Sequence, residues 1–286
     1  MHRRHRLLLL LLLGLTTPGL LASCTGRTTE APTSAAATSE GPGGATSAPP
    51  GGTVSTPPPA PSAAPTSPAA IAPGETMAAD FEGEAEGQSP GDFAPLVGRW
   101  RIGAGEEGSG LVCDGTEGKP APAPDLAALA DALFGSEGSL LSATVQAAPL
   151  YAFSVYRPLA RMAGGQVSVR FKPDGSGDQA AGIVFGLRPN GDYLVVRANG
   201  PEHNLVLLSL QGGRRNLMAK QTEVEVAAAA WHTLTLKVSG PRVTAQVDDQ
   251  PALQVVLPIT QAGRVGLWCV SDRVVGFDGF TVEGGR

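Results

Sequence analysis

The chain is poor in the residues that metal and redox chemistry rely on. It holds three cysteines and four histidines in 286 residues, and none of them gather at the spacing of a zinc site. Long apolar runs are also missing. The longest is the leucine run of residues 7–13, far short of the ~20 residues a membrane-spanning helix needs. Positive charge is scarce too: 21 Lys and Arg stand against 26 Asp and Glu, a formal net charge of −5. Loss of Arg3, Arg4 and Arg6 with a cleaved leader would take it to −8. That balance points away from nucleic acid and from a polybasic membrane contact. Only His203 and His232 would then remain for any mechanism that uses imidazole.

What the N-terminus does contain is an address. His2, Arg3, Arg4, His5 and Arg6 form a basic region, residues 7–13 are all leucine, and Leu21-Ala22-Ser23-Cys24 follows. This is the layout of a secretory signal over residues 1–23. Leu-Ala-Ser-Cys resembles the bacterial lipobox, which implies acylation of Cys24 and an extracytoplasmic, lipid-anchored protein in the cell membrane or outer membrane. Residues 25–74 are Ser, Thr, Ala, Pro or Gly apart from Arg27, Glu30, Glu40, Val54 and Ile71. Such a segment has too little to bury to offset the entropy of ordering it. The expected organisation is a lipidated cysteine and disordered linker over residues 24–92, then one folded domain over 93–286.

That domain reads as strands. Val167, Val169 and Phe171 alternate with Gln166, Ser168, Arg170 and Lys172, and Leu234, Leu236 and Val238 with Thr233, Thr235 and Lys237. Each pattern puts an apolar row on one sheet face and a polar row on the other. Residues 180–187 are nearly all apolar, which predicts a central strand covered on both faces. Turn signals recur between the runs, at Pro189-Asn190-Gly191, Gly200-Pro201 and Ser239-Gly240-Pro241 among others. Short strands at this spacing argue for an antiparallel sandwich or barrel. One helix is expected over residues 125–134, capped by Asp125 and stopped by Gly135. It sits inside what reads as an irregular insertion, residues 103–149.

Five blocks then carry a family resemblance. They are Phe171-Lys172 through Gly182-Ile183-Val184-Phe185; Asp192-Tyr193-Leu194-Val195-Val196-Arg197-Ala198-Asn199; Glu202-His203-Asn204; Trp231-His232-Thr233-Leu234; and Gly263-Arg264-Val265-Gly266-Leu267-Trp268 through Phe277-Asp278. Residues 158–282 resemble the concanavalin A-like, laminin-G-like domains of secreted bacterial proteins, most nearly the 3-keto-disaccharide hydrolase group, which is family 16 glycosidase-like. The resemblance implies an all-β fold: a concanavalin A-like jelly-roll β-sandwich of antiparallel strands. Where relatives usually carry Thr-Lys-Ala-Asp, this chain has Cys269-Val270-Ser271-Asp272. Losing that lysine weakens an activity carried over by analogy, and fold alone does not fix function.

The strongest polar constellation surrounds the turn at Gly200. Alternation places Tyr193, Val195, Arg197 and Asn199 on one strand face, and Glu202 and Asn204 lie across a short connection. An arginine fork, two amides, a carboxylate and an aromatic ring suit sugar hydroxyls and a pyranose face. The alternative is a structural network in which Arg197 pairs with Glu202 and the asparagines close the turn. Trp268 and Asp272 are candidates for a sugar platform and its polar partner, although Trp268 equally suits core packing. Trp231 and His232 read as architectural, with Trp231 at a core edge.

Three apparent motifs carry less. Gly103-Ala104-Gly105-Glu106-Glu107-Gly108 matches the dinucleotide fingerprint, but no βαβ unit surrounds it. Asp174-Gly175-Ser176-Gly177-Asp178 begins like a calcium loop yet has Phe185 at the position of the bidentate acid. Glu223 and Glu225 share a spacing that suits paired carboxylates but precede an exposed-looking connection. No cofactor is expected: the Asp174 loop reads as a hairpin tip, the alternative being a loosely held structural calcium. Cys113 and Cys269, the two thiols left after lipidation, are expected to form a disulfide; the alternative is that Cys269, alternating with Val265 and Leu267, is a small buried apolar residue. The expected function is polysaccharide or glycan binding at the cell surface. The alternatives are a glycoside-cleaving enzyme of the 3-keto-disaccharide hydrolase type and an envelope protein-interaction module.

Overall fold

Among the described residues the chain forms seventeen strands and two α-helices. The computed structural model describes residues 69–285 apart from 148–150, 176, 178, 259–261 and 271. Cys24 and the linker through residue 68 lie outside the described residues. The first strands are β1 (Ala69–Ala70), β2 (Thr76–Ala79), β3 (Phe93–Val97), β4 (Arg99–Ala104) and β5 (Ser109–Asp114). Helices α1 (Leu126–Phe134) and α2 (Gly138–Ala147) follow. Then come β6 (Ala152–Tyr156), β7 (Leu159–Arg161), β8 (Gly165–Pro173), β9 (Ala180–Leu187), β10 (Tyr193–Asn199) and β11 (Asn204–Gln211). The last are β12 (Arg214–Thr222), β13 (His232–Ser239), β14 (Arg242–Val247), β15 (Leu253–Val256), β16 (Arg264–Val270) and β17 (Val274–Gly284).

Two antiparallel sheets pack face to face as a jelly-roll β-sandwich. One has the order β12-β11-β10-β9-β16-β6-β3; the other runs β15-β14-β13-β8-β17-β5-β4, with β2 also paired to β17. The alternating rows point inward as the sequence requires. Val167 faces Leu236 and Val169 faces Leu234 across β8 and β13, all four fully buried. Burying each such side chain is worth ~1.5–3 kcal/mol. β9 is buried along its whole length. Ala181, Ile183 and Phe185 enter the core between the sheets, while Ala180, Val184 and Leu187 join a second apolar cluster on the opposite face.

That second cluster is where the structure departs from the expected irregular insertion. Residues 103–149 contain β5, α1 and an unforeseen second helix, α2. Leu126, Leu129, Leu133, Leu141 and Val145 of the helical pair pack on Leu96, Phe153, Val184, Tyr193 and Trp268 of the seven-stranded sheet. Gly135 ends α1 at φ 58°, as expected, but the Asp125 side chain makes no capping hydrogen bond. The folded unit also begins before residue 93. Met77 and Ala79 pair with Val282 and Phe280, and the buried Phe81 ring lies 5.7 Å from Phe93. Residues 76–81, expected to belong to the linker, therefore pack with the sandwich.

Candidate functional site

The register of the seven-stranded sheet lines up one outward row across six strands: Lys220, Val206, Arg197, Gly182, Trp268 and Phe153. Glycine is required in the middle of it. A Cβ at Gly182 would stand 2.7 Å from the Val196 carbonyl oxygen and 3.3 Å from the Arg197 Cβ, closer than packed atoms tolerate. The next row toward the sheet end carries Asn204, Asn199, Ala180 and Val270.

At this end the sequence-predicted residues Arg197, Asn199, Glu202 and Asn204 come together. Arg197 Nη2 donates to Glu202 Oε2 at 3.1 Å. Asn204 Nδ2 donates to the same oxygen at 2.9 Å and to the Glu202 carbonyl at 3.1 Å. The Glu202 amide donates to Asn199 Oδ1 at 3.0 Å. Both asparagines are buried, while the Glu202 side chain is 51% exposed. The turn-closing network is therefore present. The Asn204 hydrogen bond first, and then Arg197, hold the Glu202 carboxyl below its ordinary pKa, against partial desolvation. The result is an ionised acceptor fixed at the surface, beside a guanidinium that carries five N–H donors.

Tyr193 and Trp268 are placed differently from their expected stacking role. Both are buried, Trp268 to 2% exposure. Burial drives the Tyr193 hydroxyl pKa well above its usual value. Neither offers a ring face to solvent. The aromatic outside them is Tyr151, which the sequence did not single out. Its ring lies 5.0 Å from that of Trp268, and its hydroxyl accepts from Arg215 Nη1 at 2.6 Å. Asp272 is exposed on the neighbouring loop, against Gly177, and shares no described hydrogen bond with the Arg197 cluster.

The remaining candidates are structural. His232 is buried, with Nδ1 2.8 Å from Asp248 Oδ2 and Nε2 3.0 Å from the Ala227 carbonyl oxygen. Both ring nitrogens are engaged, which leaves none free to act as a base. Trp231 lies on the outer face of the eight-stranded sheet, over Gly276 and 5.3 Å from the Lys172 ammonium. Glu223 and Glu225 occupy the exposed link between β12 and β13, where Glu225 Oε2 meets His203 Nδ1 at 3.1 Å. Among the described residues no group of three or more His, Cys, Asp or Glu side chains converges as a metal site. Ser176 and Asp178 of the calcium-like loop lie outside the described residues. Cys113 and Cys269 stand as free, buried thiols, so the expected disulfide is not made here. They come from opposite sheets and border the same cleft.

Two adjoining clefts, each of about 500 Å³, open beside these thiols. One runs over Cys113 and Cys269 between the loop of residues 115–124 and Tyr151 and Val270. The other is lined by Trp100, Arg101, Asp125 and Arg157. Gly98, Arg99, Asp114 and Glu117 border both.

These features define a jelly-roll β-sandwich with a polar cluster and a cleft at one end. No protein-family model matches the chain, and no curated protein sequence matches it. Among solved structures, it is similar to the carbohydrate-binding module CBM66 from Bacillus subtilis, at 13% identity and a TM-score of 0.47, over 67% of this chain and 96% of that one. It is also similar to a Caenorhabditis elegans galectin, at 18% identity and a TM-score of 0.34, over 43% of this chain and 84% of that one. A Bacillus licheniformis β-glucanase matches at 12% identity and a TM-score of 0.36, over 46% and 71%.

Proposed function

We propose that the protein is a lipid-anchored carbohydrate-binding protein whose sandwich recognises a polysaccharide or glycan. The observation that supports this most is the Arg197–Glu202–Asn204 cluster, an ionised acceptor and an arginine fork held in fixed orientation at the surface. Adjacent sugar hydroxyls each donate and accept, and a carboxylate beside a guanidinium matches that pattern. A glycan array tests it. Arg197→Ala and Asn199→Ala should each weaken binding to any glycan the wild type captures by ~1–3 kcal/mol. Unchanged binding by both variants, at unchanged stability, would reject the assignment.

The glycoside-cleaving reading asks more of the site. A general acid needs its carboxyl pKa raised toward neutrality, whereas Glu202 is held below its ordinary value. Product analysis on each glycan captured separates binding from cleavage. Capture of none would favour the protein-interaction module. Anchoring rests on the basic region, leucine run and Cys24. Cys24→Ser should abolish acyl labelling and leave unprocessed precursor; a mutant labelled as strongly as wild type would remove the anchor from the proposal.

A further inference from the structure

The two clefts are one groove. They meet along Gly98, Arg99, Asp114 and Glu117, with the Arg99–Glu117 ion pair at the junction. Each alone falls in the ~300–1,000 Å³ range of small-molecule sites, so the joined groove exceeds what one sugar ring fills. At one end Tyr151 lies on Trp268, and Trp268 is two strands from Arg197. At ~4.8 Å per strand that is about 10 Å, so the groove leads toward the polar cluster.

Its lining is mostly apolar in one half, apart from Lys119, and charged in the other. Tyr151 supplies an aromatic ring and Pro120, Pro122 and Pro124 add apolar surface, and an aromatic ring packs against the C–H face of a pyranose. Arg99, Arg101 and Arg157 line the charged half beside Asp114, Glu117 and Asp125. Asp114 lies 3.4 Å from Arg99 and 3.8 Å from Arg101. A polyanion would meet three carboxylates along this wall, whereas hydroxyls can bridge each arginine–carboxylate pair.

We infer that the groove binds an internal stretch of a neutral, linear polysaccharide, several sugar rings long, and that the Arg197 cluster holds one end of that stretch. This rests on the carbohydrate-binding reading. The test applies the full-length protein to size ladders of one to eight residues from neutral glucans, galactans, fructans and chitin, and from uronate polymers. Affinity for a neutral ladder should rise about tenfold or more from monosaccharide to tetrasaccharide, and should change little with salt. Ala121→Trp, at an exposed position on the groove wall, should erase that gain with its melting midpoint unchanged. Glu117→Ala, on an exposed side chain, should reduce it and serves if the tryptophan variant misfolds. A neutral monosaccharide bound as tightly as its tetrasaccharide would overturn the groove and leave the carbohydrate-binding reading standing. Capture of uronate ladders alone would overturn its neutral specificity, and capture of no ladder would overturn both readings.

Discussion

Glu202 closes a turn while its carboxylate stays at the surface. Its carboxylate closes the β10–β11 turn through Asn204 and Arg197, and the same bonds keep it ionised and oriented. The consequence for stability has a definite sign. Its folded pKa lies below the ordinary 4.5, so in acid the unfolded chain binds more protons at this position than the folded one. The stabilisation is present above about pH 4.5 and is lost as pH falls through the folded value. Glu202→Gln keeps the shape and removes the proton. Denaturant titrations should therefore show wild type losing stability more steeply than the variant below about pH 4.5. Asp114, also held low by Thr116 and by Arg99 and Arg101 against its own desolvation, titrates in both proteins and cancels from the comparison. Parallel stability profiles for the two proteins would show that the carboxylate is not coupled to the fold.

Elements were legible in the sequence where one face differed from the other. β8 and β13 announce themselves because their outer rows are polar, and β9 reads as a continuous run because α1 and α2 cover the side the partner sheet does not. The second helix was hidden because α2 places only Leu141 and Val145 as large buried side chains among Gly, Ser, Ala and Thr. Arg264 was equally hidden inside a framework block. It is buried, and its guanidinium donates to the Leu159 carbonyl at 2.9 Å and to the Leu133 carbonyl at the end of α1, with the Phe134 ring 5.1 Å away. Burial lowers its pKa to about 10, still protonated at neutral pH. Arg264→Met keeps most of the volume but removes the donors to the Leu133, Leu159 and Arg157 carbonyls, at ~1–3 kcal/mol for each left buried without a donor. The loss should concentrate in the helical pair. Hydrogen exchange should quicken in α1 and α2 while the β8 and β13 amides keep their protection, and an unchanged α1 would show that the helices are held by apolar packing alone.

At the scale of the whole molecule, the Arg197, Glu202 and Asn204 side chains could be grouped from the sequence because strand alternation and a short turn define their neighbourhood locally. It missed Tyr151 and the groove because their partners, Trp268 and the loop of residues 115–124, come from distant segments of the chain. The thiol pair is intermediate: its members could be paired by counting, but only the structure brings Cys113 and Cys269 together across the sandwich. Burial, and then the neighbouring Cys269, push the Cys113 thiol well above its ordinary pKa, so thiolate is scarce and uncatalysed exchange should be slow. Both thiols should therefore resist an alkylating reagent in the native protein and react fully, one equivalent each, once the protein is denatured without reductant. Mass spectrometry of the digested, alkylated protein reads the outcome. A peptide cross-linked between Cys113 and Cys269 in that sample would show that the pair does not stay reduced in the core.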